Sequence, residues 1–115
     1  MRKTEVEFLI EEFKEKEKYF KDYLKYAKII KNEAKKILGK VKVFVFGSIL
    51  KKGEAPQDID ILIVSPKLKT LAQKSKFRTK LKKRIGFFAP FEFHLTTPKE
   101  YKEWYNFFIE KKIEI

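Results

Sequence analysis

The sequence predicts an α+β (mixed α/β) fold: a small mixed sheet of three to four strands with helices packed on it, preceded by a long N-terminal helix or helix pair. Three observations predict it. Residues 4–38 hold no Gly or Pro and repeat apolar side chains at helical spacing. Three short β-type runs, 41–46, 58–65 and 91–96, are each bounded by turn residues. Between the second and third runs lies a segment of helical pattern, 67–84, of a length that can cross over a sheet between parallel strands.

Thr4 is a plausible N-cap, with Glu5 and Glu7 in the first turn where the helix dipole favours acids. Two apolar sets then recur at heptad spacing: Val6, Phe13, Phe20, Ala27, Ala34, and Leu9, Lys16, Tyr23, Ile30, Ile37. Lys16 is a fault in the second set, inside the polar run Lys14–Lys18. The segment is therefore one helix or two helices broken near 15–19, and Gly39 stops it. A single helix of this length spans about 52 Å. A six-residue strand spans only about 20 Å. Much of one straight helix would overhang the sheet. Either Phe20–Leu38 covers the sheet and the first turns fold back or project, or Val6, Leu9 and Phe13 form a partner or dimer surface.

Val41–Phe46 is the first strand. Gly47-Ser48 opens a turn or short helix through Lys52, ended by Gly53, and Ala55-Pro56 keeps the loop extended. Asp58–Ser65 is the second strand, ended by Pro66. Lys67–Arg84 is a helix with thin apolar points at Leu68, Leu71, Ala72, Ser75, Leu81 and Ile85, stopped by Gly86. Phe91–Thr96 is the third strand. Thr97-Pro98-Lys99-Glu100 reads as a capping box with Pro at the first helical position. The last helix carries Tyr101, Trp104, Tyr105, Phe108 and Ile109 on one apolar face.

At 115 residues the chain is expected to be one domain. It holds no Cys, which excludes a disulfide framework and a thiolate metal site. No apolar run approaches the ~18 residues of a membrane span, and the N-terminus is charged and amphipathic. A soluble, cytoplasmic protein is expected. Abundant Lys and Glu, with two Asn and two Gln, resemble the composition of thermophile proteins. The net charge of +12 is uneven: residues 67–90 carry nine basic side chains and no acid. Such a face is either a solvated helix surface or a docking surface for polyanions, RNA or an acidic protein.

The chemistry concentrates at 41–64. Two of only three Asp in the chain, Asp58 and Asp60, stand one residue apart at the mouth of an apolar strand. Side chains at i and i+2 share a face, so both carboxylates converge. Hard divalent cations take such oxygen ligands, and Mg²⁺ commonly adds substrate phosphates. Glu92 and His94 share a face of the third strand, and Glu92 can sit beside Asp60. Gly47 lets backbone approach a phosphate and Ser48 can donate a hydroxyl, while Lys51 and Lys52 follow as counter-charges. For Gly47-Ser48 to meet the two Asp, strands one and two must be antiparallel neighbours. If the start of strand three also belongs to the site, it runs parallel to strand two, with 67–85 as a right-handed crossover.

Phe46-Gly47-Ser48, then nine residues, then Asp58-Ile59-Asp60 running into Ile61-Leu62-Ile63-Val64 resembles the polymerase-β-type nucleotidyltransferase superfamily, and specifically its minimal members. The loop Lys51-Lys52-Gly53-Glu54 is similar to the family's basic-Gly-acidic loop. Gln57 departs from the Ser of many members, and Glu92 stands where the third acid is often Asp. The resemblance implies the nucleotidyltransferase fold, with 1–38 as a helical segment and 41–115 as the catalytic core of a single domain. It implies Asp58, Asp60 and Glu92 as metal ligands, for a two-metal Mg²⁺ site, with Glu92 completing that site or serving as base. Gly47 and Ser48 would hold the β,γ-phosphates of an NTP, ATP foremost. The product would be an acceptor hydroxyl carrying a nucleoside monophosphate. It further implies a small helical HEPN-type protein as partner, with this chain as the antitoxin that modifies it with AMP.

A different class remains open: a catalytically idle binding module that neutralises a partner through the basic helix and the N-terminal helix. A nucleotide-sugar transferase using Asp-x-Asp with Mn²⁺ fits less well, because the chain leaves no room for an acceptor domain.

Overall fold

The computed structural model describes residues 3–53 and 55–115. Glu54, the acidic member of the loop noted above, lies outside the described residues. The elements run α1 (Glu5–Lys21), α2 (Tyr23–Leu38), β1 (Lys42–Phe46), a 3₁₀ turn (Ser48–Leu50), β2 (Ile59–Val64), α3 (Leu71–Ile85) and β3 (Phe91–Thr96). A short helical segment over 98–108 and β4 (Lys112–Glu114) complete the chain.

The sheet order is β3-β2-β1-β4. β1 pairs antiparallel with β2, opposing Phe46 to Asp60, and β2 pairs parallel with β3, opposing Asp60 to Glu92. The expected topology is thus observed. β4, which the residue pattern does not announce, adds antiparallel to the other side of β1.

Strand alternation divides the apolar residues between two faces. Val43, Val45, Ile61, Ile63, Phe93 and Leu95 meet α2 and α3 in the main core. Phe44, Leu62 and Val64 face the other way, under Tyr101, Tyr105 and Ile109. α2 lies on the sheet through Ala27, Ile30, Ala34 and Leu38. The two alanines keep its axis close, and fully buried Ile30 contributes roughly 1.5–3 kcal/mol of transfer free energy.

The helix pair breaks at Asp22 (φ −111°, ψ 35°), not in the polar run near 15–19. Lys and Glu propagate a helix well when solvent covers every face. α1 has no buried residue, and Val6, Leu9 and Phe13 are more than 60% exposed. Only its last turn is held, where Tyr19 packs on Tyr26 and edge-on to Phe91. The N-terminal turns therefore project, and the first halves of both heptad sets are not core.

α3 begins at Leu71, four residues later than expected. Thr70 is the N-cap of a capping box: its hydroxyl accepts from the Gln73 amide, and the Gln73 side chain accepts from Thr70 N–H. Leu71, Ala72 and Ser75 consequently face solvent, and Phe77 with Leu81 make the contact to the core. Glu33 ties α2 to α3, accepting from Arg84 at 2.7 Å while Lys36 stands at 3.2 Å. Hydrogen bonds from Arg84 first, then Lys36, hold its carboxyl below the usual glutamate range. A depressed acid stabilises the fold above its unfolded-state value and loses that contribution as pH falls through the folded-state value. Glu33→Gln is therefore expected to lower the urea midpoint at pH 7 and to match wild type at pH values below the ordinary carboxylate range. Equal deficits at both pH values would refute the linkage.

The C-terminal helix departs most from expectation. An α turn (Pro98–Glu100) capped by Thr97 gives way to a π turn (Tyr101–Tyr105), then to a last α turn (Asn106–Phe108). The Asn106 N–H reaches back to the Tyr101 carbonyl, five residues away. The extra residue per turn keeps Tyr101, Tyr105 and Ile109 on the sheet and rotates Trp104 and Phe108 into solvent, where they are 61% and 73% exposed. The expectation of five residues on one apolar face is corrected to three. Lys112 fixes the turn from β4: its ammonium donates to the Tyr101 hydroxyl and to Asn106 Oδ1 and lies over the Phe44 and Tyr101 rings. Tyr101 in turn stacks flat on Phe44.

Candidate active site

The site forms at the end of the sheet face that the C-terminal helix leaves open. β1 delivers Phe46 and Gly47 there, β2 delivers Asp60, and β3 delivers Glu92 and His94. Asp60 has neighbours on both sides because β2 is an inner strand. One ligand atom from each of Asp60, Glu92 and His94 lies within 4.8 Å of the others. His94 Nε2 stands 3.0 Å from Asp60 Oδ1 and 3.9 Å from Glu92 Oε1. Phe46 packs against the His94 ring, with centroids 5.0 Å apart.

Gly47 meets Asp60 from the other side. Its backbone is at φ +85°, ψ −156°, a region that only glycine occupies readily. A Cβ on Gly47 would fall 2.1 Å from Asp60 Oδ2. The carboxylate therefore fills the space that the missing side chain leaves. Phe46 is the ladder partner of Asp60, so Gly47, one residue on, sits directly against the Asp60 carboxylate, and the Gly-Ser turn abuts the cluster. Ser48 begins the 3₁₀ turn, with Leu50 N–H bonded to the Gly47 carbonyl. The turn ends at Leu50, earlier than expected, and exposed Lys51 is extended (φ −92°, ψ 131°).

A cavity of 460 Å³ opens beside this turn, lined by Phe46, Gly47, Lys51 and, from the far end of the chain, Phe108 and Lys111 among others. Lys52 is exposed at the turn's end and does not line it. A second, shallower depression on the β3 side is lined by Asp58, Arg78, Lys82 and Glu92.

Of the acids expected at the site, the fold brings Asp60 and Glu92 into one cluster. Asp58 precedes β2, is exposed and lines the β3-side depression with Glu92, so Glu92 belongs to the cluster and also borders that depression. His94 occupies the third place in the cluster. Its alternation with Glu92 was legible in the sequence, but its reach to Asp60 depends on the parallel register of β2 and β3. Lys111 carries no local signal at all, since only β4 pairing returns it to Gly47. Among the described residues, no helix is long and apolar enough to cross a membrane.

The donor set fits a divalent cation. Two carboxylates suit a hard ion such as Mg²⁺ or Mn²⁺, and an imidazole either joins them or holds a ligating carboxylate in place.

Comparison with known proteins agrees with this geometry. The family model described as "Nucleotidyltransferase domain" matches residues 27–114. One solved structure, of a protein provisionally named a nucleotidyltransferase, is 33% identical, with a TM-score of 0.66 over 78% of this chain and 97% of that one. A second, provisionally named likewise and from Sulfolobus solfataricus, is 21% identical with a TM-score of 0.58, over 84% of this chain and 82% of that one, and supports the fold alone. No curated protein sequence matches the chain. With the family model covering most of its length, from α2 to β4, the chain belongs to the nucleotidyltransferase domain family and is a nucleotidyltransferase acting on a nucleoside triphosphate.

Proposed function

We propose that the enzyme uses ATP and Mg²⁺ to transfer AMP to a hydroxyl on a protein or RNA acceptor. Asp58, Asp60 and Glu92 would hold a two-metal site, and Gly47 and Ser48 the β,γ-phosphates. The observation that carries this reading is the nesting of the Asp60 carboxylate in the space left by Gly47, which sets the Gly47-Ser48 turn against a carboxylate cluster. Bound there, a divalent cation supplies charge stabilisation for the α-phosphoryl group and the departing pyrophosphate.

The chain's own residues do the rest. Gly47 admits the triphosphate close to the backbone, and the Ser48 hydroxyl donates to it. Lys51, Lys52 and Lys111 offset its charge. His94 steadies Asp60 through the 3.0 Å contact. Glu92, exposed on the outer strand, accepts the proton of the acceptor hydroxyl. The acceptor oxygen bonds to the α-phosphorus, the bond from that phosphorus to the β-bridging oxygen breaks, and pyrophosphate leaves.

The acceptor we favour is a small helical HEPN-type protein, with this chain as its antitoxin. Two features support a protein partner: the unburied apolar residues of α1, and the basic surface of α3. In α3 and the residues before it, Lys74 and Arg84 are spent on Glu100 and Glu33, and Arg78 donates to the Phe93 carbonyl. Lys67, Lys69, Lys76, Lys80 and Lys83 remain exposed, a strip that RNA would also suit. The same α1 surface could instead join two copies of this chain. It also favours a second reading, in which partner binding alone neutralises the partner.

The test is transfer of label from α-labelled ATP to the protein encoded beside this gene, and in parallel to RNA, with Mg²⁺ and with chelator. Metal-dependent labelling supports the enzyme reading, and the labelled species identifies the acceptor. A partner that is bound and silenced without any labelling would support the binding-only reading.

A further inference from the structure

We infer that Phe108, backed by Trp104, is the stacking platform for the nucleobase of the bound triphosphate. This rests on the reading of Gly47 and Ser48 as the phosphate cradle. The 460 Å³ cavity beside that cradle has Gly47 and Lys51 on its wall and, from the other end of the chain, Phe108 and Lys111. Its size falls within the range of small-molecule sites, about 300–1,000 Å³. A triphosphate held at Gly47 with its charge toward Lys51 and Lys111 leaves its nucleoside to be housed in the same cavity, and Phe108 is the exposed ring there.

Three features set this aromatic pair apart from ordinary surface apolar residues. Trp104 and Phe108 stack on each other, with centroids 6.0 Å apart and planes 19° apart. The π turn separates them from the sheet-facing residues, where an uninterrupted α-helix would carry them toward the same face as Tyr101 and Tyr105. π turns of this kind recur at functional sites. Finally, the turn is held by Lys112 against Tyr101, Asn106 and Phe44, so the platform is fixed to β1, the strand that leads into Gly47. Glu110, also on the cavity wall, offers an acceptor for ribose hydroxyls. Stacking on Phe108 tolerates any base, so discrimination among bases is expected to be weak, with purines ahead of pyrimidines.

The experiment compares ATP with inorganic tripolyphosphate, which carries the charge without the base. Each is titrated by calorimetry, with Mg²⁺, into wild type, Phe108→Ala and Trp104→Phe. Because Trp104 is the only tryptophan, its emission is followed as well. Phe108→Ala is expected to weaken ATP about tenfold while leaving tripolyphosphate unchanged, in line with the loss of one base–aromatic stack. ATP should alter Trp104 emission and tripolyphosphate should not. Phe108 is mostly exposed, so the variant is expected to keep its fold, which circular dichroism verifies. If tripolyphosphate binds and Phe108→Ala weakens ATP no more than tripolyphosphate, the platform is wrong and the phosphate cradle stands. If neither ligand binds wild type, both readings fail together.

Discussion

Gly47→Ala is expected to abolish nucleotidyl transfer and to destabilise the fold by about 2–4 kcal/mol. Two costs combine. Holding alanine at φ +85°, ψ −156° costs about 1–3 kcal/mol. The new methyl would also lie 2.1 Å from Asp60 Oδ2 and 3.0 Å from its Cγ, so the carboxylate must leave. Its exit breaks the His94 contact and empties one corner of the cluster. Gly39→Ala separates the two costs. Gly39 is also at positive φ (81°), but a Cβ there meets nothing within 4 Å. That control should lose stability without losing activity. A Gly47→Ala enzyme with wild-type turnover would show that Asp60 does not need its place beside the turn.

Asp60→Ala should reduce transfer by roughly a thousandfold, the scale of several kcal/mol of metal-dependent transition-state stabilisation. The melting temperature should barely move. Asp60 is half-buried, and removing it relieves the proximity of two acids while costing the 3.0 Å contact with His94. Asp58→Ala tests a finer point. Asp58 is exposed, precedes β2 and stands outside the cluster of Asp60, Glu92 and His94, so its loss is expected to raise the metal concentration needed for half-maximal rate rather than to abolish transfer. Steady-state rates against Mg²⁺ concentration distinguish the two. Undiminished transfer in the double variant would refute Asp58 and Asp60 as the metal site.

The first three strands and their pairing were legible because each carries its own evidence, whereas β4 was not. Val41–Phe46 and Ile59–Val64 are apolar runs closed by Gly and Pro, and the Gly-Ser to Asp-x-Asp spacing demands an antiparallel pair between them. Capping and register were less accessible. The start of α3 turned on a reciprocal bond between Thr70 and Gln73, which competed with the equally helical residues before it. The position of the break between α1 and α2 was hidden because a charged helix in solvent has no packing to interrupt. The π turn was invisible because Tyr101, Trp104, Tyr105 and Phe108 fit an ordinary α-helical stripe. Only the anchoring of Tyr101 on Phe44, and of Lys112 on Tyr101, selects the wider turn.

By itself, the sequence determined the local chemistry: a glycine at the exit of a strand, a serine beside it, and carboxylates alternating at the mouth of the next strand. These follow from backbone geometry within a few residues. The tertiary structure decided which of those groups meet. Parallel register between β2 and β3 carried Glu92 and His94 to Asp60, and the fourth strand carried Lys111 and Phe108 to Gly47. Such meetings depend on strand pairing between residues dozens of positions apart, and no local pattern encodes the partner of a strand edge.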